Sequence, residues 1–314
     1  MNGQNKWDRA DVVILTHHPD ERFTQCLRRL KDQTEPPGHI YVINTRTDYF
    51  PEEAGRMEGV SVRHIEPEEF DHGATRNMGF ELSDAKIVIF MTQDAVPADR
   101  HLIRNLVRPL HESERIGISY ARQLPAKGCR LIERYTRSFN YPEEGRIKGR
   151  EDLSELGIKT FFCSDVCAAY RRSIYQEMGG FIRHTIFNED MIMAAGMVRA
   201  GYQIAYAADA RVIHSHNYTG RQQFHRNFDM AVSQADHPEV FEGISSEAEG
   251  IRLVGNTAWF LLKKKKPYLI AELVYKSGCK YLGYKLGKNY RRLPVWVVRK
   301  CSASEAYWEN RQKV

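Results

Sequence analysis

A long uninterrupted apolar segment is missing from this sequence of 314 residues. One of the longest apolar runs, at residues 258–262, falls far short of the roughly 20 residues that cross a bilayer. Residues 1–11 also lack the apolar stretch and the small-residue cleavage site of a secretory signal. The mean hydropathy of −0.54 is that of a polar chain. We therefore expect a cytoplasmic protein without a transmembrane helix.

Cysteine is scarce and shows no pairing pattern. The six cysteines have no CxxC spacing, and Cys163 and Cys167 are not followed by a second pair at zinc-finger spacing. Small secreted domains and structural zinc modules use closely spaced cysteines, so both classes are disfavoured. We expect reduced thiols in a globular protein, because 42% hydrophobic and 27% charged residues are ordinary for a chain with a packed core.

Acidic residues are nearly absent from residues 263–300. That segment holds twelve Lys or Arg against one acid, Glu272, a local excess of +11 in a chain of net charge +6, which leaves −5 elsewhere. Tyrosine and tryptophan are interleaved with these cations, as is typical of helices in the headgroup layer of an anionic membrane. A solvated basic helical pair packed on the body is the alternative. Nucleic acid is not an expected partner, because no nucleic-acid-binding module accompanies the charge.

Short apolar runs rich in β-branched residues alternate with helical patterns in the first part of the chain. The predicted strands are residues 11–16, 40–43 and 87–91, and the predicted helices are residues 22–33, 73–82 and 99–112. This alternation predicts an α/β fold with a mostly parallel sheet flanked by helices. Ligands of such sheets bind beyond the carboxyl ends of the strands, here at Thr16, residues 44–48 and residues 92–94. Residues 141–158, rich in Gly, Glu and Arg, are predicted to form a mobile loop.

Acidic residues at two positions suit chemistry at such a sheet edge. Asp94 follows a buried-strand pattern and can hold a divalent cation through its carboxylate, although a loop cap would also place an aspartate there. Glu189 and Asp190 open a predicted helix, where acids commonly complement the helix dipole. Either of the two could instead accept the proton of an attacking hydroxyl.

Two further motifs contain groups suited to binding. His214 and His216 end another β-run and, at i and i+2, point the same way, so both could reach a metal; polar packing is the alternative. Residues 72–79 begin a predicted helix with a glycine-bearing turn, and Arg76 lies near its N-terminus. A helix N-terminus with an arginine nearby can bind phosphate or sugar oxygens, although many helices begin in the same way.

Taken in order, these motifs resemble those of the family-2 inverting glycosyltransferases of GT-A fold, over roughly residues 10–220. The motifs that carry the resemblance are Thr16, Asn44-Thr45-Arg46-Thr47-Asp48, His72-Gly73-Ala74-Thr75-Arg76-Asn77, Thr92-Gln93-Asp94-Ala95-Val96-Pro97, Gly179-Gly180-Phe181, Asn188-Glu189-Asp190 and His214-Ser215-His216. The segments at 72–77 and 92–95 are most similar to those of bacterial rhamnosyltransferases, which use dTDP-L-rhamnose to build cell-surface polysaccharides. The resemblance implies a single in-line displacement that inverts the anomeric carbon.

The resemblance also implies roles for the acidic residues. Asp94 corresponds to the last acid of the family's Asp-x-Asp motif, which holds Mg²⁺ or Mn²⁺ on the nucleotide diphosphate, and Thr92 stands in the place of the first acid. Metal binding is therefore expected to involve His216 as well. Asp190 matches the family's general base, with Glu189 as its support.

The donor contacts follow from the same comparison. Ile43 stands where many relatives have an acid that contacts the base, which leaves Asn44 or Asp48 for the base or the ribose. The expected substrate-binding residues are Thr16, Asn44, Asp48, His72, Arg76, Asn77, Thr92 and Gln93. The favoured donor is dTDP-L-rhamnose and the expected acceptor is a lipid-linked saccharide. UDP-GlcNAc, UDP-galactose or UDP-galactofuranose are the alternative donors, and a non-catalytic nucleotide-binding or membrane-binding module is the alternative of another class.

The charge pattern divides the chain into two parts. We expect residues 1–245 to form a GT-A glycosyltransferase domain and residues 246–314 to form a basic, aromatic-rich helical tail that associates with the membrane. Such a tail would keep the protein as a peripheral enzyme on the inner face of the cell membrane, where a lipid-linked acceptor is presented. The linkage position, and whether the chain forms a homo-oligomer, are left open by the sequence.

Overall fold

The centre of the fold is a mixed sheet of nine strands. We describe it from a computed structural model that covers residues 9–242 and 247–311. The strands are β1 (Asp11–Thr16), β2 (Ile40–Thr45), β3 (Val60–Ile65), β4 (Ile87–Thr92), β5 (Val96–Pro97), β6 (Ile116–Leu124), β7 (Arg146–Lys148), β8 (Cys167–Arg171) and β9 (Gln203–Ile213). Their order across the sheet is β3-β2-β1-β4-β8-β6-β9-β5, and β7 pairs with β9.

One half of the sheet is parallel, because its strands are linked by helical crossovers. β1 pairs in parallel with β2 and β4, and β2 pairs in parallel with β3. β1 and β4 are apolar and buried over most of their length, as strands covered by helices on both faces must be. β8 runs antiparallel between β4 and β6, whereas β6 and β9 are parallel. The predicted α/β fold with a mostly parallel sheet is confirmed.

Helices cover both faces of the sheet. They are α1 (Glu21–Lys31), α2 (Glu52–Gly55), α3 (His72–Glu81), α4 (Leu102–Glu112), α5 (Leu131–Asn140), α6 (Leu153–Leu156), α7 (Arg172–Glu177), α8 (Glu189–Arg199), α9 (Gly220–Asp236), α10 (Pro238–Phe241), α11 (Glu247–Lys263), α12 (Leu269–Lys288), α13 (Val295–Cys301) and α14 (Glu305–Arg311). α1 and α4 contribute to one apolar cluster, and α3, α7 and α8 contribute to a second one. The helix predicted from Asp99 begins at Leu102, because the Asp99 carboxylate accepts from the backbone N–H of His101 instead of capping the helix.

Residues 141–158 differ from the mobile loop that their composition predicts. They contain β7, which pairs antiparallel with β9, and the short helix α6. The buried Lys148 of β7 lies 5.0 Å from the centroid of the Tyr120 ring and donates to the backbone carbonyls of Lys159 and Phe162. A lysine that donates to carbonyls and packs its stem on an aromatic ring can anchor a segment that has few apolar side chains.

The C-terminal helices pack on the body through α12, which runs beside α9. A Cβ atom on Gly283 would overlap the carbonyl oxygen of Phe224, and one on Gly287 would overlap that of Phe228. Only glycine allows two helix backbones to approach so closely. The boundary predicted at 245–246 lies outside the described residues, which omit 243–246. Within the described ranges, every helix is too short or too polar to span a bilayer.

Replacing Gly287 by leucine is expected to lower the free energy of unfolding by about 1–3 kcal/mol or more, because the new side chain would overlap the α9 backbone. Thermal and denaturant unfolding measure the effect. Gly278→Leu is the matched control, since Gly278 lies on the same helix and a Cβ atom added there would meet nothing within 4 Å apart from the adjacent residues and the backbone of its own helix. Equal unfolding midpoints for the two variants would contradict the close packing of α12 on α9.

Candidate active site

The carboxyl ends of the parallel strands meet at one edge of the sheet. Thr16 of β1 pairs with Asn44 of β2, and the Thr16 hydroxyl donates to Asn44 Oδ1 at 2.8 Å. Asn44 Nδ2 lies 3.0 Å from Nδ1 of His64 on β3. Thr16 and Asn44 are buried, whereas His64 is exposed and lines a recess of about 650 Å³ that Asp48 also lines. The structure thus places three of the residues expected at this edge, Thr16, Asn44 and Asp48, in one region, with His64 between them as an addition.

Gln93 shapes the loop that follows β1. Its amide accepts from the backbone N–H of His17 at 2.8 Å and donates to the backbone carbonyl of the same residue at 2.9 Å. Thr92, at the end of β4, has a buried hydroxyl oxygen without a hydrogen-bond partner among the described residues. Contacts from Thr92 and Gln93 to a substrate stay predictions, and the Gln93 side chain already has a role in holding the loop.

Side chains of Asp94, His214 and His216 converge beyond the ends of β4 and β9. His216 Nε2 lies 3.2 Å from Asp94 Oδ2, and His214 Nε2 lies 3.5 Å from Asp94 Oδ1. The two Nε2 atoms are 3.0 Å apart, and possible ligand atoms of all three residues lie within 4.8 Å of one another. The two histidines therefore face the same carboxylate, as their i and i+2 spacing suggests.

His214 is oriented by a further hydrogen bond. Its Nδ1 lies 3.0 Å from Gln123 Oε1, which also accepts from the Arg137 guanidinium. An acceptor at that position places the ring hydrogen on Nδ1 and leaves the Nε2 lone pair directed at Asp94. Burial lowers the pKa of His214 to about 3 and also lowers the pKa of His216. Both imidazoles are therefore neutral near pH 7, as metal ligation requires.

The donor set formed by Asp94, His214 and His216 fits a divalent cation. One carboxylate and two neutral imidazoles suit Mn²⁺ better than Mg²⁺, which prefers oxygen ligands throughout. Neighbouring ligands at about 2.1 Å from an octahedral ion lie about 3 Å apart. The separations of 3.0, 3.2 and 3.5 Å between the candidate ligand atoms are close to that spacing. The positively charged guanidinium of Arg22 also lies close, since its Nη1 is 3.5 Å from Asp94 Oδ2.

Glu189 and Asp190 begin α8 beside a buried arginine. Arg76 of α3 lies 3.0 Å from Glu189 Oε1 through its Nη1 and 3.0 Å from Asp165 Oδ2 through its Nε. The Asp190 carboxylate accepts from the backbone N–H of Met191 at 2.7 Å and from that of Asp165 at 3.3 Å. Glu189 is buried, whereas Asp190 is partly exposed. Of the two acids that the sequence offers as a base, Asp190 is the more accessible.

The pKa values of the two acids also favour Asp190 as the proton acceptor. Burial raises the pKa of Asp190 well above its usual range, and the negative charges of Glu189 and Asp165 raise it further. Burial also acts to raise the pKa of Glu189, but the charges of Arg76, His72 and Arg226, together with a backbone hydrogen bond, outweigh it, and the pKa is lowered. A carboxylate with a raised pKa is the stronger proton acceptor. A raised pKa is the property that the predicted general-base role of Asp190 requires, and the lowered pKa of Glu189 keeps its carboxylate ionised near pH 7.

Two residues expected to contact substrate have their side chains engaged within the protein. Asn77 Oδ1 accepts from the backbone N–H of Phe181 at 2.9 Å and from the Tyr175 hydroxyl at 2.5 Å, and Asn77 Nδ2 donates to the Phe181 carbonyl at 2.9 Å. Arg76 Nη1 donates to the His72 carbonyl at 2.9 Å in addition to its two ion pairs. Asn77 thus fixes the turn that precedes Phe181, and Arg76 binds acids rather than solvent. The His72 ring is partly buried, which lowers its pKa.

Two residues at the site are absent from the set that the resemblance implies. His214 joins Asp94 and His216 in a group of possible metal ligands, here named the metal-binding cluster, and the His-x-His spacing contains the signal for it. Asp165 pairs with Arg76 although 89 residues separate them in the chain. The sequence offers one signal for Asp165, which is that it is the single charged residue within the apolar segment 161–170. A charge buried in such a segment requires a partner.

This chain is similar to known proteins along nearly its whole length. A family profile described as "Glycosyl transferase family 2" matches residues 11–179. The O-antigen chain rhamnosyltransferase RfbN of Salmonella typhimurium is 39% identical over 307 residues, which cover 97% of this chain and 97% of RfbN. The O-antigen chain rhamnosyltransferase WbaN of Salmonella anatum is 37% identical over 304 residues, which cover 96% of each chain.

Solved structures of low sequence identity share the fold. The mannosyltransferase PcManGT from Pyrobaculum calidifontis, in complex with GDP-Man and Mn²⁺, has a TM-score of 0.55 at 15% identity and covers 96% of this chain and 84% of its own. The fragment 1–349 of S. aureus TarS, in complex with UDP-GlcNAc, has a TM-score of 0.52 at 13% identity and covers 90% of this chain and 91% of its own. The expected GT-A fold is confirmed. With a family profile over more than half of its residues and relatives similar along its full length, this chain belongs to glycosyl transferase family 2 and is a glycosyltransferase.

Proposed function

We propose that this glycosyltransferase moves L-rhamnose from dTDP-β-L-rhamnose to a hydroxyl of a lipid-linked saccharide, with inversion, in the synthesis of a bacterial cell-surface polysaccharide. The observation that carries the proposal is the similarity, along nearly the whole chain, to two proteins named O-antigen chain rhamnosyltransferases. A metal-binding cluster and a separate basic carboxylate support transfer from a nucleotide diphosphate sugar to a hydroxyl. The proposed product is an α-linked rhamnoside.

The proposed reaction is a single displacement at the anomeric carbon. The acceptor oxygen attacks on the face opposite the diphosphate, and the new C–O bond forms as the bond to the diphosphate breaks. The Asp190 carboxylate takes the proton of the acceptor hydroxyl, and dTDP departs with the electron pair. Glu189 stays ionised against Arg76, and its charge adds to the basicity of Asp190.

Mn²⁺ or Mg²⁺ is the proposed cofactor, and Asp94, His214 and His216 are the residues that would hold it. A divalent cation supplies positive charge for a departing diphosphate. The chain contributes two neutral imidazoles, one of which Gln123 orients through a hydrogen bond to Nδ1. Arg22 adds a second positive charge at the same carboxylate.

The donor nucleotide is proposed to lie along the carboxyl edge of the sheet, between Asn44 and the metal-binding cluster. The proposed donor contacts are Thr16, Asn44, Asp48, His72, Thr92 and Gln93. Arg76 and Asn77 are proposed to act through the protein, because their side chains bind Asp165, Glu189, Tyr175 and the Phe181 backbone.

A donor panel tests the proposed substrate. dTDP-L-rhamnose, UDP-GlcNAc, UDP-galactose, UDP-galactofuranose and GDP-mannose are each added with Mn²⁺ or with EDTA, and the unfolding midpoint and donor turnover are measured. Binding to the native state alone raises the midpoint. We expect the largest rise and measurable turnover with dTDP-L-rhamnose and Mn²⁺. Turnover of a UDP-sugar but not of dTDP-L-rhamnose would overturn the donor assignment.

The tail is proposed to attach the enzyme to the cytoplasmic face of an anionic membrane. Among the described residues, most of the exposed large apolar side chains lie on the C-terminal helices or in the turn before α12: Ile251, Trp259, Leu262, Tyr268, Val274, Tyr275, Tyr281, Leu282, Val295 and Trp296. Residues 263–266, which run from the last residue of α11 into the turn before α12, are four exposed lysines. Lys263 Nζ lies 3.5 Å from the Trp259 ring centroid and Lys300 Nζ lies 5.4 Å from that of Trp296. Exposed tryptophan beside lysine suits the boundary between headgroups and acyl chains.

The tail is expected to bind anionic vesicles in a salt-sensitive way. Each lysine near an anionic surface contributes about 1 kcal/mol, and the Debye length falls from about 10 Å at 0.1 M to about 3 Å at 1 M salt. Co-sedimentation with phosphatidylglycerol-containing and with purely phosphatidylcholine vesicles, at low and at high salt, is the measurement. Binding only to the anionic vesicles, and its loss at high salt, is the expected result.

A charge-matched pair of variants locates the binding surface. Lys264→Gln with Lys265→Gln should weaken binding to anionic vesicles at least tenfold, because about 2 kcal/mol is lost. Arg56→Gln with Arg104→Gln removes the same charge from exposed positions on the body and should have little effect. Equal binding to neutral and anionic vesicles, no binding to either, or equal losses for the two pairs would overturn the proposal.

A further inference from the structure

The proposed base lies in a buried charge cluster, which we define as Arg76, Asp165, Glu189 and Asp190. Two of the three carboxylates, those of Asp165 and Glu189, pair with the one guanidinium, and the third, that of Asp190, accepts from the backbone N–H of Asp165. The side chains of Arg76, Asp165 and Glu189 are 8%, 3% and 9% exposed, so water screens their charges little. Because the cluster has more acids than cations, one carboxyl group is driven toward its protonated form.

Asp165 connects the two ends of the charge cluster. Its Oδ1 accepts from the Tyr170 hydroxyl at 2.6 Å, and its Oδ2 lies 3.0 Å from Arg76 Nε. Its backbone N–H donates to Asp190 Oδ2 at 3.3 Å. The other ion pair of Arg76 goes to Glu189. The guanidinium is therefore shared by Asp165 and Glu189, whereas Asp190 is held by backbone N–H groups.

We propose that Asp165 and Arg76 are positioning residues of the transfer reaction, which orient the Asp190 carboxylate and set its charge state. The proposal rests on Asp190 being the base of the proposed function. Asp165 fixes Asp190 Oδ2 through its N–H, and its negative charge favours the protonated form of Asp190. Arg76 has the opposite electrostatic effect, since its positive charge favours the ionised form.

The groups that face Asp190 come from several elements. They are Glu189 on α8, Arg76 on α3, Cys163 and Asp165 before β8, Tyr170 on β8 and Tyr141 after α5. Burial raises the pKa of the Cys163 thiol and of the Tyr141 and Tyr170 hydroxyls, so these groups are neutral near pH 7. Burial also raises the pKa of Asp165, to about 6, so its carboxyl group is ionised near pH 7. The charges that decide the ionisation of Asp190 are therefore those of Asp165, Glu189 and Arg76.

The pH dependence of transfer tests the proposal, because the two residues should shift it in opposite directions. Asp165→Asn removes a neighbouring negative charge. The acidic limb of the pH profile of kcat, where kcat falls as Asp190 becomes protonated, should therefore move to lower pH by about one unit. Arg76→Gln removes the positive charge, so the limb should move to higher pH by about the same amount. Arg76→Lys keeps the charge and should restore the position of the limb while kcat stays lowered, since lysine cannot make both ion pairs.

Asp229→Asn is the matched control. Asp229 is a buried acid on α9, and burial raises its pKa to about 6, but it accepts from the backbone N–H of Ala303 and lies outside the charge cluster. This variant should leave the acidic limb in place. A purely structural role of Asp165 and Arg76 would lower kcat at every pH and leave the limb where it is, and that result would overturn the proposal.

A stability measurement gives a second readout that needs no substrate. The pKa of Asp190 is raised by folding, so ionisation of Asp190 destabilises the native state as pH rises from its unfolded value, about 3.9, to its folded value. The unfolding midpoint of Asp190→Asn, minus that of the wild type, should therefore grow with pH and level off above the folded pKa. The levelling-off should occur at lower pH in the Asp165→Asn background and at higher pH in the Arg76→Gln background.

The two readouts separate the possible failures. If Asp190→Asn abolishes transfer but the limb and the levelling-off point do not move in the Asp165 and Arg76 variants, the positioning role is wrong and the base assignment stands. If Asp190→Asn retains transfer, the base assignment is wrong. Opposite shifts of the levelling-off point would then still establish that Asp165 and Arg76 set the charge state of Asp190. The proposed role of this coupling in transfer would nevertheless be overturned.

Discussion

Replacement of Asp190 by asparagine is expected to lower transfer by a factor of about 10²–10⁴ and to leave donor binding nearly unchanged. The change removes proton acceptance but preserves the size of the side chain, and the loss matches the usual contribution of a general base. Initial rates with dTDP-L-rhamnose and a lipid-linked acceptor measure transfer. The rise of the unfolding midpoint with added donor measures binding.

The same experiment has a clear contrary outcome. A variant that keeps more than about a tenth of wild-type turnover would make the base assignment untenable, because general-base losses are at least about a hundredfold. Loss of the donor-induced midpoint shift together with turnover would point instead to a role of Asp190 in donor binding. Asp229→Asn, a buried aspartate on another helix, should retain turnover and controls for the loss of a buried charge.

Replacement of Asp94 by alanine is expected to raise the Mn²⁺ concentration required for half-maximal turnover, and the KM for the donor, by at least about tenfold each. Asp94 is the carboxylate that both His214 and His216 face, so its removal takes the anionic ligand from the cluster. Mn²⁺ titrations at fixed donor, and donor titrations at fixed Mn²⁺, measure the two effects. Direct Mn²⁺ binding by electron paramagnetic resonance should weaken in parallel.

Asp99→Ala is the matched control for this prediction. Asp99 lies a few residues further along the chain and pairs with Arg211 at 2.7 Å, away from the metal-binding cluster. Its removal should leave the Mn²⁺ dependence unchanged. An unchanged Mn²⁺ dependence in Asp94→Ala itself would count against Asp94 as a ligand, and His214→Gln would then show whether the imidazoles bind the ion without it.

The strands and the edge where the site lies could be predicted because they depend on local patterns. β1 and β4 are apolar runs, and the polar residues Thr16 and Thr92 mark their carboxyl ends. α1 buries one apolar stripe of a helical pattern, within two residues of the predicted range. Asp94 could be identified for the same reason, since it follows directly on a buried strand.

The surroundings of Arg76 and Asn77 could not be predicted in this way. Both lie on a helix start that suggests exposed, ligand-binding side chains, yet their partners are 89 and 104 residues further along the chain. Such contacts depend on how β8 and α8 pack against α3, and no local pattern encodes that arrangement. Lys148 is a similar case, because backbone carbonyls and aromatic rings are its partners, and the composition around it indicates only polarity.

The glycine contacts between α12 and α9 also fix the orientation of the tail relative to the candidate active site. α9 begins at Gly220, shortly after His216, and the Arg226 guanidinium on α9 lies 4.7 Å from the ring centroid of Phe187, close to the start of α8. Because the α12 backbone lies directly against α9 at Gly283 and Gly287, the tail cannot rotate independently of these elements. A surface that holds the tail would therefore hold the candidate active site at a fixed angle and height, and the reach of the enzyme along the proposed saccharide acceptor would depend on that geometry rather than on a flexible tether.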